Sequence, residues 1–361
     1  MSLYVFLLIL CAGGCIWAGR DKLRQQSVAW FVLAAMLLLC GLRGDTVGTD
    51  TFNYLSPFSS SKQIGRTSEL LFYLTYRLVP FPHLWLFLTA CLIYVPLFGI
   101  VKKETYYAAV SVLIYMISVT KFFPESFNII RQSIAASFIL ACFVDWAAER
   151  KKRSLLFLLI AVLFHNSSVI ALPFLWLKNI RFRPAVVWTG VIATFLIGLS
   201  QMFNEVIGLF ILGIDAVAGD GSAIGDTLST YAAYGSNGTT FNTNFIVGNT
   251  LPLSMMCLLT TPTSRTDRSD VFYFNIMFVT TLIANIMIAA TQYGFRLVFS
   301  LYIVQILVVA NAYCYKNRIG RQLLTLFIGM LGLFYVYYLY GLSRGIAGDL
   351  DTIIPYRFFF Q

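Results

Sequence analysis

The chain has 361 residues, of which 58% are hydrophobic and only 12% charged, and its mean hydropathy is +0.77. A soluble globular chain carries about 25% charged residues, so these values exclude that class and make lipid the solvent. The net charge of +10 does not point to nucleic acid, because Lys and Arg sit in short clusters between apolar runs.

The apolar runs approach the roughly 20 residues that cross about 30 Å of hydrocarbon, and they leave no stretch for a separate soluble domain. They are apolar all round and do not alternate with polar residues, which selects helices over a β-barrel. The expected fold is therefore an all-α, polytopic helical integral membrane protein, a single domain over 1–361, with about ten spans. Met1 to Trp17 lacks the basic start of a cleavable signal and counts as the first span, over 3–18. The second, 27–42, ends in the polar stretch Arg43-Gly44-Asp45-Thr46-Val47-Gly48-Thr49-Asp50-Thr51-Phe52-Asn53-Tyr54. Residues 67–79 read as a helix stopped by Pro80 and Pro82, too short to cross, hence interfacial or re-entrant. Further spans are expected at 84–101, 105–120, 126–147, 185–203, 245–260, 271–290, 297–314 and 322–341.

Orientation follows from the basic clusters, which are retained on the cytoplasmic side. They are Arg20, Lys22 and Arg24; Lys102 and Lys103; Arg150 to Arg153; Lys178, Arg181 and Arg183; Arg265 and Arg268; and Lys316, Arg318 and Arg321. Both termini and the loops 43–83 and 204–244 are then outside. Residues 154–177 have basic clusters on both flanks, so they are expected to enter and return as a hairpin tipped by His165, Asn166, Ser167 and Ser168. Arms of about 15 residues would rise about 22 Å, close to the outer leaflet. A single span, inverting everything downstream, is the alternative.

The cysteines at 11, 15, 40, 91, 142, 257 and 314 all lie in apolar runs, without disulfide or metal spacing. Asp349-Leu350-Asp351 has the spacing of a metal pair but reads as a solvated turn, and no metal is assigned. The informative cations are those outside the clusters. Arg43, Arg131 and Arg296 each fall beside or inside an apolar run at one predicted level, where an unpaired charge costs at least about 2.5 kcal/mol. Each alone could snorkel or meet a carboxylate, whereas three at one level favour an anion site.

The stretch from Arg43 to Tyr54, the segment Phe127-Asn128-Ile129-Ile130-Arg131-Gln132-Ser133-Ile134-Ala135, the segment Phe164-His165-Asn166-Ser167-Ser168 leading to Leu172-Pro173, and the terminal Pro355-Tyr356 together resemble EpsG-like, Wzy-type polysaccharide polymerases. The resemblance implies a membrane glycosyltransferase in a bacterial cytoplasmic membrane, its site facing outward. It would move a growing glycan from undecaprenyl diphosphate onto an incoming undecaprenyl-diphosphate-linked repeat unit. No cofactor is implied; the partners implied are the lipid-linked oligosaccharide, membrane lipid, a flippase and a chain-length regulator. Such a reaction needs cations for the departing diphosphate and a base for the acceptor hydroxyl. Arg43, Arg131 and Arg296 are the candidates for the first. His165, Asp50 and Glu69 are the candidates for the second, although Asp50 could instead pair Arg43, and Glu69 could pair Arg66 or Arg77. Asp45, Asn53, Tyr54, Gln132, Asn166 and Tyr293 are candidates for sugar contacts. The other histidine, His83 beside Pro82, reads as structural. A flippase would show two repeated halves, and none are visible. An O-antigen ligase would carry a histidine in a large outer loop, which 204–244 lacks; an acyltransferase could use His165 but not the arginine motifs.

Overall fold

The computed structural model describes residues 1–59, 69–200, 243–264, 266–290, 294–344 and 353–360, with backbone alone at 59, 243–247, 288–290 and 294–297. Its helices are α1 (Ser2–Ala18), α2 (Lys22–Gly41), α3 (Thr51–Ser59), α4 (Leu70–Leu78), α5 (Pro82–Glu104), α6 (Ala108–Ile117), α7 (Phe122–Asn128), α8 (Ile130–Ala147) and α9 (Lys151–Phe164). Two 3₁₀ helices, Asn166–Ala171 and Pro173–Asn179, precede α10 (Pro184–Ser200), α11 (Thr243–Thr260), α12 (Arg268–Ala290), α13 (Gly294–Tyr302), α14 (Gln305–Tyr315) and α15 (Arg318–Ser343). Every apolar run read as a span is a helix or a broken pair of helices. Among the described residues, six helical stretches could cross a membrane by length and composition, Lys22–Gly41, Pro82–Glu104 and Ile130–Ala147 among them. The chain is thus a polytopic helical membrane protein. Of the most apolar window in each helix, 78% is buried in α8 but 33% in α15, so α8 is central and α15 offers most of its surface to lipid.

The basic clusters gather at one end of the bundle, tied by hydrogen bonds between loops far apart in sequence. Tyr106 donates to Arg20 O at 2.6 Å and Gln26 to Lys102 O at 3.1 Å. Tyr273 donates to the Glu104 carboxylate at 3.2 Å, and Asn311 to Glu104 O at 3.1 Å and to Asp270 at 2.7 Å. Arg181 reaches Thr263 O at 2.6 Å, and Lys316 reaches Thr261 O at 2.8 Å.

That end also fixes the path of 154–177. α9 climbs along α8, the chain turns at His165, and it returns as the two 3₁₀ helices of six and seven residues. At a rise of about 2.0 Å per residue these cover about 26 Å, more than the about 21 Å of α9 at 1.5 Å per residue, so the tighter winding lets a shorter arm complete the return. Trp146 donates to Leu175 O at 2.9 Å and Lys178 to Trp146 O at 2.7 Å, which brings the hairpin's end back beside its start. The chain enters and leaves on one side, as the flanking charges require, and the single-span alternative is excluded.

Two boundaries differ from expectation. The break expected near 121–125 lies at 118–121, where Lys121 is left-handed at φ 47°, and α6 and α7 meet there at 55°. A second break at Ile129 starts α8 at Ile130, so Arg131 lies in its first turn and not one turn inside the span. α4 begins after Glu69, and 60–68 and 201–242 lie outside the described residues, the expected loop 204–244 almost entirely so.

Candidate functional site

At the end opposite the basic clusters, the polar stretch after α2 is pinned from several directions. Gly44 N–H donates to Arg357 O at 2.8 Å and Phe359 N–H to Leu42 O at 3.0 Å, so the terminal segment pairs with the start of the loop. Tyr356 donates to Leu39 O at 2.8 Å. Gly48 adopts φ +96°, and a Cβ there would lie 2.7 Å from Thr51 Oγ1 and 3.0 Å from Phe127 O, so only glycine fits. The tight turn presents Thr49 N–H to Asn128 Oδ1 at 2.8 Å. Three of the four motif stretches read from the sequence therefore meet here.

Arg43 is the keystone of this loop and is fully buried. Its Nε donates to Thr51 Oγ1 at 3.2 Å, Nη2 to Phe127 O at 3.3 Å, and Nη1 to Cys40 O. The guanidinium also lies 5.2 Å from the centre of the Phe127 ring. Among the described residues no carboxylate pairs with it, and a buried cation is tolerated when carbonyl and hydroxyl oxygens take its donors. In this geometry Arg43 joins the end of α2 to α7, and it has no open face for an anion.

Arg131 and His165 meet on Glu69. The carboxylate stands at the N-cap of α4, where it would ordinarily bond its own helix, yet it makes no side-chain cap. Instead Oε2 accepts from Arg131 Nη1 and Oε1 lies 2.8 Å from His165 Nδ1. The Glu69 side chain is 8% exposed, that of His165 24% and that of Arg131 40%, so the carboxylate is interior while its partners face outward. Burial disfavours the charged carboxylate, but the His165 hydrogen bond and the Arg131 charge outweigh it and hold the group below its ordinary range. The Arg131 charge also acts on the neighbouring Tyr54 hydroxyl.

Aromatic packing sets the position of Glu69. Trp85, wholly buried near the start of α5, stacks on Tyr76 at 4.5 Å and donates Nε1–H to Thr75 Oγ1 at 2.8 Å. Tyr76 donates to Tyr54 O at 3.0 Å. Phe72 lies 5.9 Å from Tyr54 and 5.7 Å from the Arg131 guanidinium. These contacts lock α3 and α4 together, while Leu70, Leu74 and Leu78 face outward on the other side of α4, the pattern of an interfacial helix.

The expected site residues thus separate. Glu69, Arg131, His165 and Tyr54 come together, and Asp50, half-buried, is close enough to act on Tyr54 electrostatically. Asp50 does not pair with Arg43, and Glu69 pairs across the fold with Arg131. Asp45, Asn53 and Asn166 are exposed at the same end, and Gln132 is buried. Tyr293 and the side chain of Arg296 lie outside the described residues. Sequence reasoning missed Trp85, Phe72 and Asn128 as the supports of this centre; Asn128 stood inside a motif, whereas two aromatics among many carried no signal.

Residues 28–358 match the model of the EpsG family. No curated protein and no solved structure matches the chain. The match takes in every residue of the Glu69, Arg131 and His165 centre, and the segments assembled around it are those whose pattern resembled that family. The chain belongs to the EpsG family.

Proposed function

We propose that this protein polymerises a lipid-linked polysaccharide at the outer face of the cytoplasmic membrane, moving the growing glycan from undecaprenyl diphosphate onto an incoming lipid-linked repeat unit. Family membership supports the coarser statement, a polysaccharide polymerase-like membrane protein. The observation that carries the finer reading is the meeting of His165 and Arg131 on one buried carboxylate.

An ionised Glu69 can only accept, so the hydrogen in its contact with His165 belongs to Nδ1. The neutral imidazole then keeps its lone pair on Nε2, the atom turned away from Glu69, and that atom serves as the base. The acceptor hydroxyl gives its proton to Nε2 as its oxygen bonds to the anomeric carbon of the donor glycan. The bond from that carbon to the diphosphate breaks, and the electron pair leaves with the carrier. Arg131 spends one donor on Glu69, leaving others of its five for the diphosphate oxygens. Tyr54, with the exposed Asp45, Asn53 and Asn166, contacts sugar.

A strain lacking the protein should export glycan capped with single repeat units and lose the ladder of longer chains. Absence of any exported repeat unit, with the flippase intact, would assign transport instead.

A further inference from the structure

A second polar constellation lies at the basic end, away from the Glu69 centre. There α5, α8 and α9 enclose a groove of about 430 Å³. It opens along α5 at Gly99, where an added Cβ would meet nothing within 4 Å, one turn after Pro96 inside the helix. Phe138, Ala141 and Phe157 make an apolar floor, and Lys103, Arg150 and Arg153 form the rim.

The rim is built around Asp145, whose side chain is only 4% exposed. Its Oδ1 forms an ion pair with Arg150 Nη2 at 2.7 Å and its Oδ2 forms one with Arg153 Nε at 2.9 Å. One buried carboxylate thus holds two guanidiniums side by side, yet their side chains are 41% and 60% exposed. The Arg153 guanidinium lies 5.2 Å from the Phe157 ring, over the edge of the floor. Lys103, 56% exposed, meets Glu104 at 3.2 Å. The rim therefore carries more cations than carboxylates, and each arginine has donors beyond the one given to Asp145.

We propose that this groove binds an anionic phospholipid, its headgroup phosphate on Arg150 and Arg153 and one acyl chain along Phe138 and Phe157. A free phosphate would use the rim but leave the floor wet, and a neutral lipid would use the floor but leave the guanidiniums without an anion. Only an anionic group joined to a hydrocarbon chain satisfies both, and a basic pocket between helix ends is where such headgroups are recognised. The site is independent of the polymerase reading.

The test is thermal unfolding of the purified full-length protein in neutral detergent with added phosphatidylglycerol, phosphatidylcholine or sodium phosphate. Phosphatidylglycerol should raise the midpoint in a saturable way, and the other two should not. Lys103→Gln and Arg153→Gln, which both leave Asp145 paired with Arg150, should each weaken the apparent affinity about fivefold. Gly99→Leu fills the groove with every charge in place and should abolish the shift without lowering the unliganded midpoint. An undiminished phosphatidylglycerol shift in both Gly99→Leu and Lys103→Gln, or an equal shift with inorganic phosphate, would overturn the proposal.

Discussion

Replacing Glu69 by glutamine changes one atom and tests the proposed chemistry through hydrogen-bond accounting. The wild-type carboxylate serves two donors, Arg131 on Oε2 and His165 Nδ1 on Oε1. The amide offers one acceptor and one donor. Arg131 can only donate, so it takes the amide oxygen, and the NH₂ is left facing Nδ1. The imidazole must then carry its hydrogen on Nε2, which converts the proposed base into a donor. General acid–base catalysis is worth about 10²–10⁴-fold, or about 3–5 kcal/mol of barrier, and the wrong imidazole tautomer removes it. The fold should suffer less, because the variant keeps its shape, relieves the burial of a charge, keeps a charge-assisted bond from Arg131, and exchanges only the charge-assisted His165 bond, worth about 1.5–3 kcal/mol, for a neutral one. The assay is chain-length distribution from purified protein and lipid-linked repeat units, normalised to monodisperse protein by size-exclusion chromatography. Glu69→Gln should fold and bind lipid-linked substrate yet elongate at least about 10²-fold more slowly. Elongation near the wild-type rate would refute the positioning role of Glu69, and with it the assignment of Nε2.

Arg131→Ala should cost about 1–3 kcal/mol of stability, less than a fully buried pair because Arg131 is partly exposed, and should eliminate elongation; Arg131→Lys should restore much of the folded yield but little activity, because it lacks the planar fork. A well-folded Arg131→Lys protein with normal chain lengths would sink the diphosphate contact. Arg43→Ala should lower the amount of folded protein before it lowers activity per molecule, and Gly48→Ala should do the same by at least about 1 kcal/mol, both read by size-exclusion yield and thermal midpoint. The folded Glu69 titrates below its ordinary value of 4.5, so its pairing stabilises fully above that pH and is lost as pH falls through the lowered value. In Arg131→Ala that acid transition should move upward, and an unmoved transition would remove Glu69 as its source. Cysteine labels at Asn179 and Thr46, both exposed, should react from opposite sides of the membrane, the first from the cytoplasm.

Much of the fold was legible because membrane helices announce themselves by length and hydropathy. Charge clusters settled the harder question of 154–177, since a chain with Arg150 to Arg153 and Lys178 on its flanks has to come back to the side it left. The short helix before Pro80 was legible from its proline stop. What the sequence did not carry was pairing. Arg43 and Arg131 look alike as arginines at span ends, yet one is enclosed by oxygens of Cys40, Thr51 and Phe127 and the other opens outward on Glu69. The distinction turns on distant partners, Phe127 for Arg43 and Glu69 for Arg131, each more than 60 positions away and beyond any helical periodicity. Arg131 does meet a carboxylate, as each such arginine alone could, and the partner is Glu69, which the sequence placed beside Arg66 or Arg77.

The central claim is that His165, oriented by Glu69 and flanked by Arg131, elongates a lipid-linked glycan. The direct measurement is single-turnover elongation by the purified protein, given undecaprenyl-diphosphate-linked repeat units, comparing wild type with His165→Gln. Wild type should produce a ladder from these substrates, releasing one undecaprenyl diphosphate per linkage, and His165→Gln should bind the same substrate and yield at least about 10²-fold less dimer. Wild-type protein that binds the repeat units but forms no linkage, or a His165→Gln protein that builds the ladder at the wild-type rate, would contradict it.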